Sequence, residues 1–309
     1  MSVKKISIVG AGQVGSTLAF LLLIRRLCSQ ITLVDVQHEL AKACVLDLED
    51  SRWVFSAITN LTSSNKLQSL ASSDIIVITA GKPRSPGMSR ADLIKANTST
   101  IRDISRGIKK FAPEALVILI TNPLDLMTCV ALKTSGFSKG RVFGMGSSLD
   151  SARLANLISQ RLKLNIKDIN PVVFGAHGKD MLVSENTTVQ AAGLANFLSK
   201  KDFSRLKEAT LNRGASIVGL LKKGSARFGP AAACLDLIEA VVFDQKKITF
   251  ASVYLNGQYS IKGVCLGVPV VVGREGIERI LELKLSKQEK NILIQAARTI
   301  RGHLKLLRD

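Results

Sequence analysis

Three histidines occur in this 309-residue chain, at positions 38, 177 and 303. His177 stands in Gly175-Ala176-His177-Gly178, where flanking glycines let a ligand approach the backbone, whereas His38 and His303 fall in polar, helix-patterned segments and read as surface residues. Imidazole titrates near neutrality, which suits it to take and return a proton at physiological pH. An isolated histidine is more often structural than catalytic, so the weight falls on what surrounds it in sequence. Asp150 and Arg153 are three apart and share one face of a predicted helix. Arg84 and Arg90 lie six apart in the Gly/Pro-punctuated segment Gly81-Lys82-Pro83-Arg84-Ser85-Pro86-Gly87-Met88-Ser89-Arg90, a pattern that suits a loop bringing guanidinium groups onto an anionic substrate.

A second constellation precedes these. Gly10-Ala11-Gly12-Gln13-Val14-Gly15 follows a predicted strand and opens a predicted helix. Three glycines at that spacing permit a tight turn, close approach of backbone to a pyrophosphate, and close helix packing. A bare G-x-G-x-x-G says little, but Asp35 lies twenty residues beyond Gly15, at the end of the next predicted strand, where a carboxylate accepts hydrogen bonds from an adenosine ribose. The same carboxylate repels a 2′-phosphate, and no arginine follows in Val36-Gln37-His38, so NAD is favoured over NADP. Thr121-Asn122-Pro123 ends another predicted strand and so faces the same crevice.

The elements that must position these residues follow from periodicity. Short β-branched runs at Lys5 to Val9, Ile31 to Val36, Asp74 to Thr79, Leu116 to Thr121 and Arg141 to Met145 alternate with segments of helical spacing. That alternation predicts an α/β fold beginning with a Rossmann, doubly wound parallel sheet. After about Ser147 the pattern changes to helices over Leu149 to Leu162, Phe203 to Lys223, Pro230 to Phe243 and Lys287 to Leu307. Between the last two, Val253 to Leu255, an Asn256-Gly257 turn pair, and the runs around Val264 and Pro269 to Val272 predict antiparallel strands. Two domains are expected: residues 1–146 binding the dinucleotide and 147–309 forming an α+β substrate domain.

Composition narrows the class. A chain that is 46% apolar with five scattered cysteines and no C-x-x-C pair fits a globular protein with free thiols in a reducing, cytoplasmic compartment. Ile6 to Ile24 is uncharged and flanked by Lys4-Lys5 and Arg25-Arg26, yet its three glycines, Gln13, Ser16 and Thr17 argue for strand, turn and helix instead of a membrane span. The net charge of +19 raises the question of nucleic acid. Its basic residues are dispersed, never three in a row, and aromatic residues make up only 5%, so a basic solvated surface with no specific nucleic-acid partner is expected.

Taken together and in order, the glycine fingerprint, the Gly81 to Arg90 segment, Thr121-Asn122-Pro123, Leu149-Asp150-Ser151-Ala152-Arg153 and Gly175 to Gly178 resemble the lactate/malate dehydrogenase family, on its lactate-dehydrogenase-like malate dehydrogenase branch. The resemblance spans nearly the whole chain. It implies hydride transfer between NAD and C2 of malate or oxaloacetate. His177 would exchange the hydroxyl proton, Asp150 would orient it, Arg153 would clamp the C1 carboxylate, Arg90 would polarise the C2 oxygen and Asn122 would hydrogen-bond it. Arg84 occupies the position where malate enzymes carry an arginine for the distal carboxylate and lactate enzymes typically carry glutamine. Ser225 matches a position beside the nicotinamide and substrate. Gly10, Gly12, Gln13, Val14, Gly15, Asp35, Thr79, Ala80, Gly81, Asn97, Thr121 and Asn122 match cofactor-contacting positions, and no metal is implied. Lys179 departs from the family, which usually has aspartate there; here Asp180 comes one place later. A homodimer or homotetramer is the family's habit. Two alternatives stay open: a sibling acting on lactate or another 2-hydroxy acid, and a catalytically weak member that binds polyanions.

Overall fold

In the computed structural model, residues 3–82, 89–178, 180–222 and 224–307 are described, with the side chain of Arg90 excepted. Arg84 and Lys179 therefore lie outside the described residues. The first half runs β1 (Lys5–Val9), α1 (Gln13–Arg25), β2 (Gln30–Val34), α2 (His38–Phe55), β3 (Asn60–Ser64), β4 (Ile75–Ile78), α3 (Arg90–Phe111), β5 (Leu116–Leu119), α4 (Leu124–Ser135) and β6 (Val142–Gly144). Its six strands are parallel in the order β3-β2-β1-β4-β5-β6. The central strands are apolar throughout because helices cover both faces; all four residues of Ile75–Ile78 and of Leu116–Leu119 are buried. Strand order reverses between β1 and β4, which opens a crevice at their carboxyl ends, just before Gly10 and Thr79.

The five strands expected in this half are present, with no end shifted by more than two residues. The edge strand β3 was not expected. Its sequence, Asn60-Leu61-Thr62-Ser63-Ser64, carries one buried apolar residue, and it is held by backbone pairing to all five residues of β2. Main-chain hydrogen bonds leave no apolar pattern to read.

The second half contains α5 (Ser148–Leu162), β7 (Ile169–Asn170), β8 (Val173–Gly175), β9 (Met181–Val183), β10 (Thr188–Val189), β11 (Ala192–Gly193), α6 (Lys200–Leu221), α7 (Phe228–Val242), β12 (Lys247–Asn256), β13 (Lys262–Gly273), β14 (Gly276–Ile280) and α8 (Lys287–Leu306). Its main strands are antiparallel and extend the first sheet: β12 pairs with β6 at Ser252–Gly144, followed by β13, β8 and β9, with β14 on the far part of β13. A three-stranded sheet, β11-β10-β7, stands apart. One apolar core links strands of both halves with α1, α4, α7 and α8, and a smaller one around Leu154, Ile158, Val173 and Met181 underlies the helix carrying Asp150.

The expected antiparallel pairing of Val253 to Leu255 with the run around Val264 is present, and the turn that starts at Asn256-Gly257 is longer than that pair alone. The strands are 10 and 12 residues long, and Asn256 pairs with Lys262, so a longer connection with a 3-10 turn at Gln258–Ser260 joins them. Tyr259 is the cause: its ring is buried, its hydroxyl donates to Leu281 O at 2.9 Å, and its N–H donates to Glu282 at 2.7 Å. Four of the five cysteines are buried and Cys44 is half-buried, all as free thiols. Among the described residues no helix is long and apolar enough to cross a membrane.

Candidate active site

The glycine loop between β1 and α1 is shaped by contacts that admit no side chain. Gly10 has φ +113°, and a Cβ there would collide with Thr79 Oγ1 and the Ala80 backbone. A Cβ on Gly15 would strike the Gly10 carbonyl oxygen, so helix and strand approach as closely as backbone allows. Gly12 differs: nothing lies within 4 Å of where its Cβ would stand. It is the N-cap of α1, with no side-chain cap and no acidic residue in the first turn. That leaves the helix's first N–H groups and the positive end of its dipole facing open space, which fits a pyrophosphate. Asp35, just past β2, accepts from Ala11 N–H at 2.8 Å and Gln37 N–H at 2.9 Å. The acid expected at the ribose thus also ties down the glycine loop. Val14 is half-buried in the first turn of α1 beside exposed Gln13, and Gly224 packs against the Gln13 amide, which puts the exposed Ser225 next to this end of the site.

Next along the crevice, Thr79 Oγ1 donates to Gly10 O at 2.9 Å and Thr121 Oγ1 donates to Ala80 O at 2.8 Å. Gly81 packs so closely that a Cβ would meet Thr121 Cγ2 at 2.5 Å. Asn97, buried on α3, uses its amide on the backbone: Oδ1 accepts from Lys82 N–H at 2.8 Å and Nδ2 donates to Asn122 O at 2.8 Å. It brackets the strand ends in place. Asn122 itself is exposed.

The candidate proton-handling groups come from two elements, α5 and the turn after β8. Asp150 sits in the first turn of α5, fully buried. His177 sits in the glycine turn after β8, its side chain 16% exposed, with Nδ1 2.7 Å from Asp150 Oδ2. A carboxylate oxygen only accepts, so Nδ1 carries the proton and Nε2 is left with its lone pair for substrate. Arg153, one turn on, donates from Nη1 to the other Asp150 oxygen at 3.1 Å. The rest of the guanidinium lies against Gly214 on α6, where a Cβ would stand 3.5 Å from Nη2, an ordinary contact distance. Burial is the largest influence on the His177 pKa and lowers it, but Asp150, through charge and hydrogen bond, and Asp125 together outweigh it. The imidazole pKa is raised above its ordinary 6.5.

Asp125 escaped the sequence reading. It lies in the first turn of α4, three residues after Asn122, and is buried. Its Oδ2 accepts from the His177 main-chain N–H at 2.8 Å and its Oδ1 from Ser252 Oγ at 2.6 Å. The available signal was an acid in a helix otherwise buried almost all round, where an ionisable group needs a partner. Among the described residues no cluster of three or more His, Cys, Asp or Glu could hold a metal.

Residues 4–144 match the family model for the lactate/malate dehydrogenase NAD binding domain, and residues 147–308 match the model for the alpha/beta C-terminal domain of the same family. The malate dehydrogenase of Methanosarcina mazei is 43% identical over 302 residues, spanning 96% of this chain and 97% of that protein. The crystal structure of Cryptosporidium parvum malate dehydrogenase superposes with a TM-score of 0.95 at 34% identity, covering 99% of each chain. The lactate dehydrogenase of the same organism, complexed with lactic acid and nicotinamide adenine dinucleotide, gives 0.95 at 30% identity over 100% of this chain and 99% of its own. On the strength of both domain matches, the chain belongs to the lactate/malate dehydrogenase family.

Proposed function

We propose that this protein is an NAD-dependent malate dehydrogenase that interconverts malate and oxaloacetate. One observation carries the reading: buried Asp150 holds the His177 ring at Nδ1 with one oxygen and Arg153 with the other, while Asp125 accepts from the His177 main-chain N–H, beside the strand ends that Thr79 and Thr121 tie to the glycine loop. The open N-cap at Gly12, the carboxylate of Asp35 and the absence of an acid in the first turn of α1 fit NAD. The nicotinamide, when bound, takes up or gives back the hydride at malate C2. His177 Nε2 takes the C2 hydroxyl proton during oxidation and returns it during reduction, while Asp150 holds the tautomer and stabilises the imidazolium. Arg153 offers its free guanidinium edge to the C1 carboxylate. Asn122 and Arg90 serve the C2 oxygen, Ser225 lies beside the substrate, and Arg84 pairs with the distal carboxylate.

The division at 146/147 goes with this reading; it is supported by the change from parallel to antiparallel pairing across Gly144–Ser252. A homo-oligomer is supported by large exposed apolar side chains, among them Trp53 at 89%, Phe228 at 68% and Phe243 at 58% exposure. The free thiols support a reducing, cytoplasmic setting. The test is NADH consumption with oxaloacetate compared against pyruvate. Preference for oxaloacetate supports the proposal, and preference for pyruvate replaces it with a lactate-type enzyme.

A further inference from the structure

We infer that Asp125 is a second carboxylate of the catalytic apparatus, a positioning residue that seats the His177 turn through its main chain and holds a negative charge behind the imidazole. The inference rests on the proposal that His177 is the proton-transfer group.

The geometry is unusual for a structural acid. A buried carboxylate is stable when its lone pairs are used, and Asp125 accepts from two donors on two different elements: the His177 N–H after β8 and the Ser252 hydroxyl on β12. Its own helix, α4, begins at the strand end that presents Asn122. One side chain therefore fixes the distance between the group that handles the proton and the group that faces the C2 oxygen. Ser252 is also the residue through which β12 pairs with Gly144, and a Cβ on Gly146 would stand 2.5 Å from its backbone nitrogen, so the strand carrying the donor is packed closely against the end of β6. Asp150 grips the imidazole from the ring side and Asp125 grips the same residue from the backbone side.

Among the described residues, the charged groups bearing on His177 are Asp150 and Arg153 from α5 and Asp125 from α4. The two acids favour the imidazolium and the arginine opposes it. Burial is the largest influence on Asp125 and leaves its pKa raised on balance; the hydrogen bonds from Ser252 and His177 oppose that rise and favour the ionised carboxylate. A purely structural acid would be replaceable by any group that accepts those two hydrogen bonds. A charged positioning residue would not.

Asp125→Asn separates the two roles, because its amide oxygen still accepts from His177 N–H and its NH₂ can donate to Ser252. The probe is His177 itself, followed by NMR titration of the three histidines, with His177→Asn to assign its signal. Asp125→Asn moves the His177 midpoint, and the pH limb of kcat for oxaloacetate reduction, to lower pH. Ser252→Ala, which leaves Asp125 in place but removes the donor that helps it ionise, moves both the same way. Asp125→Ala lowers kcat roughly tenfold to a hundredfold, the scale of a displaced catalytic group, and changes KM for oxaloacetate less than threefold. A His177 midpoint left unmoved by both Asp125→Asn and Ser252→Ala overturns the inference, as does wild-type kcat in Asp125→Ala. If His177→Asn turns over as fast as wild type, the base assignment fails first. If His177→Asn is inactive while the midpoints stay put, only Asp125 falls.

Discussion

The two ends of the crevice are built from different materials. At the nucleotide end the working groups are main-chain: glycines that permit contact, an uncapped helix terminus, and N–H groups tied to Asp35. At the proposed catalytic end they are side chains, His177, Asp150, Arg153 and Asp125, delivered by the β8 turn, α5 and α4. A backbone site is written in consecutive residues and is damaged by adding atoms. A side-chain site is scattered along the chain and is damaged by removing them.

The largest test of that contrast is His177→Asn. It should leave NADH binding nearly intact while lowering turnover by roughly a hundredfold to ten-thousandfold, the range for a lost general acid/base; stopped-flow binding together with steady-state rates measures both. Near-normal turnover would erase the division. Arg84→Gln comes next. Truncating one partner of a buried charge pair costs about 2 to 5 kcal/mol, so kcat/KM for oxaloacetate should fall roughly thirtyfold to several thousandfold. The value for pyruvate should rise, by less, because neutralising the arginine builds no apolar pocket for the methyl group. Equal loss for both substrates would strip Arg84 of its selecting role.

The glycines sharpen the comparison from the other end. Gly12→Ala meets no protein atom within 4 Å, so the melting temperature should hold while NADH affinity drops about tenfold as the methyl group enters the pyrophosphate's space. Gly15→Ala collides with the Gly10 carbonyl and should lower the melting temperature itself. Calorimetry and NADH titration of the pair would break the distinction if both variants behaved alike. The gentlest test is pH. Reduction of oxaloacetate needs the imidazolium, and the His177 pKa is raised above 6.5. Reduction should therefore be fully active below 6.5 and decline only as pH rises through the raised value, with malate oxidation gaining over the same window.

Legibility in the sequence divides along the same line. Consecutive motifs were readable: Gly10 to Gly15 with Asp35, and strands such as Ile75–Ile78 whose burial on both faces forces an apolar run. So were His177, Asp150 and Arg153, through the glycine-flanked turn and the one-face spacing. Three features were not. β3 is held by backbone pairing that any sequence can make. The β12–β13 connection is set by the burial of Tyr259, which overrode a good two-residue turn pair. Asp125 looks like an ordinary helix-start acid, and its partners lie 52 and 127 positions away. Asn97 is expected at a cofactor-contacting position; the sequence does not show that its amide also bonds to the Lys82 and Asn122 backbone.

The seam at Gly144–Ser252 has a consequence for biosynthesis. The parallel strands can assemble as soon as β6 leaves the ribosome, but the partner of its outer edge, Ser252 on β12, follows about a hundred residues later. At 5–20 residues per second, that edge stays unpaired for on the order of ten seconds. An unpaired edge is a template for the wrong strand. A nascent chain early in that window already has its nucleotide loop but not yet the β8 turn that carries His177. Such a chain could hold dinucleotide without turning anything over, and ligand stabilisation would then favour the half that is waiting for its partner.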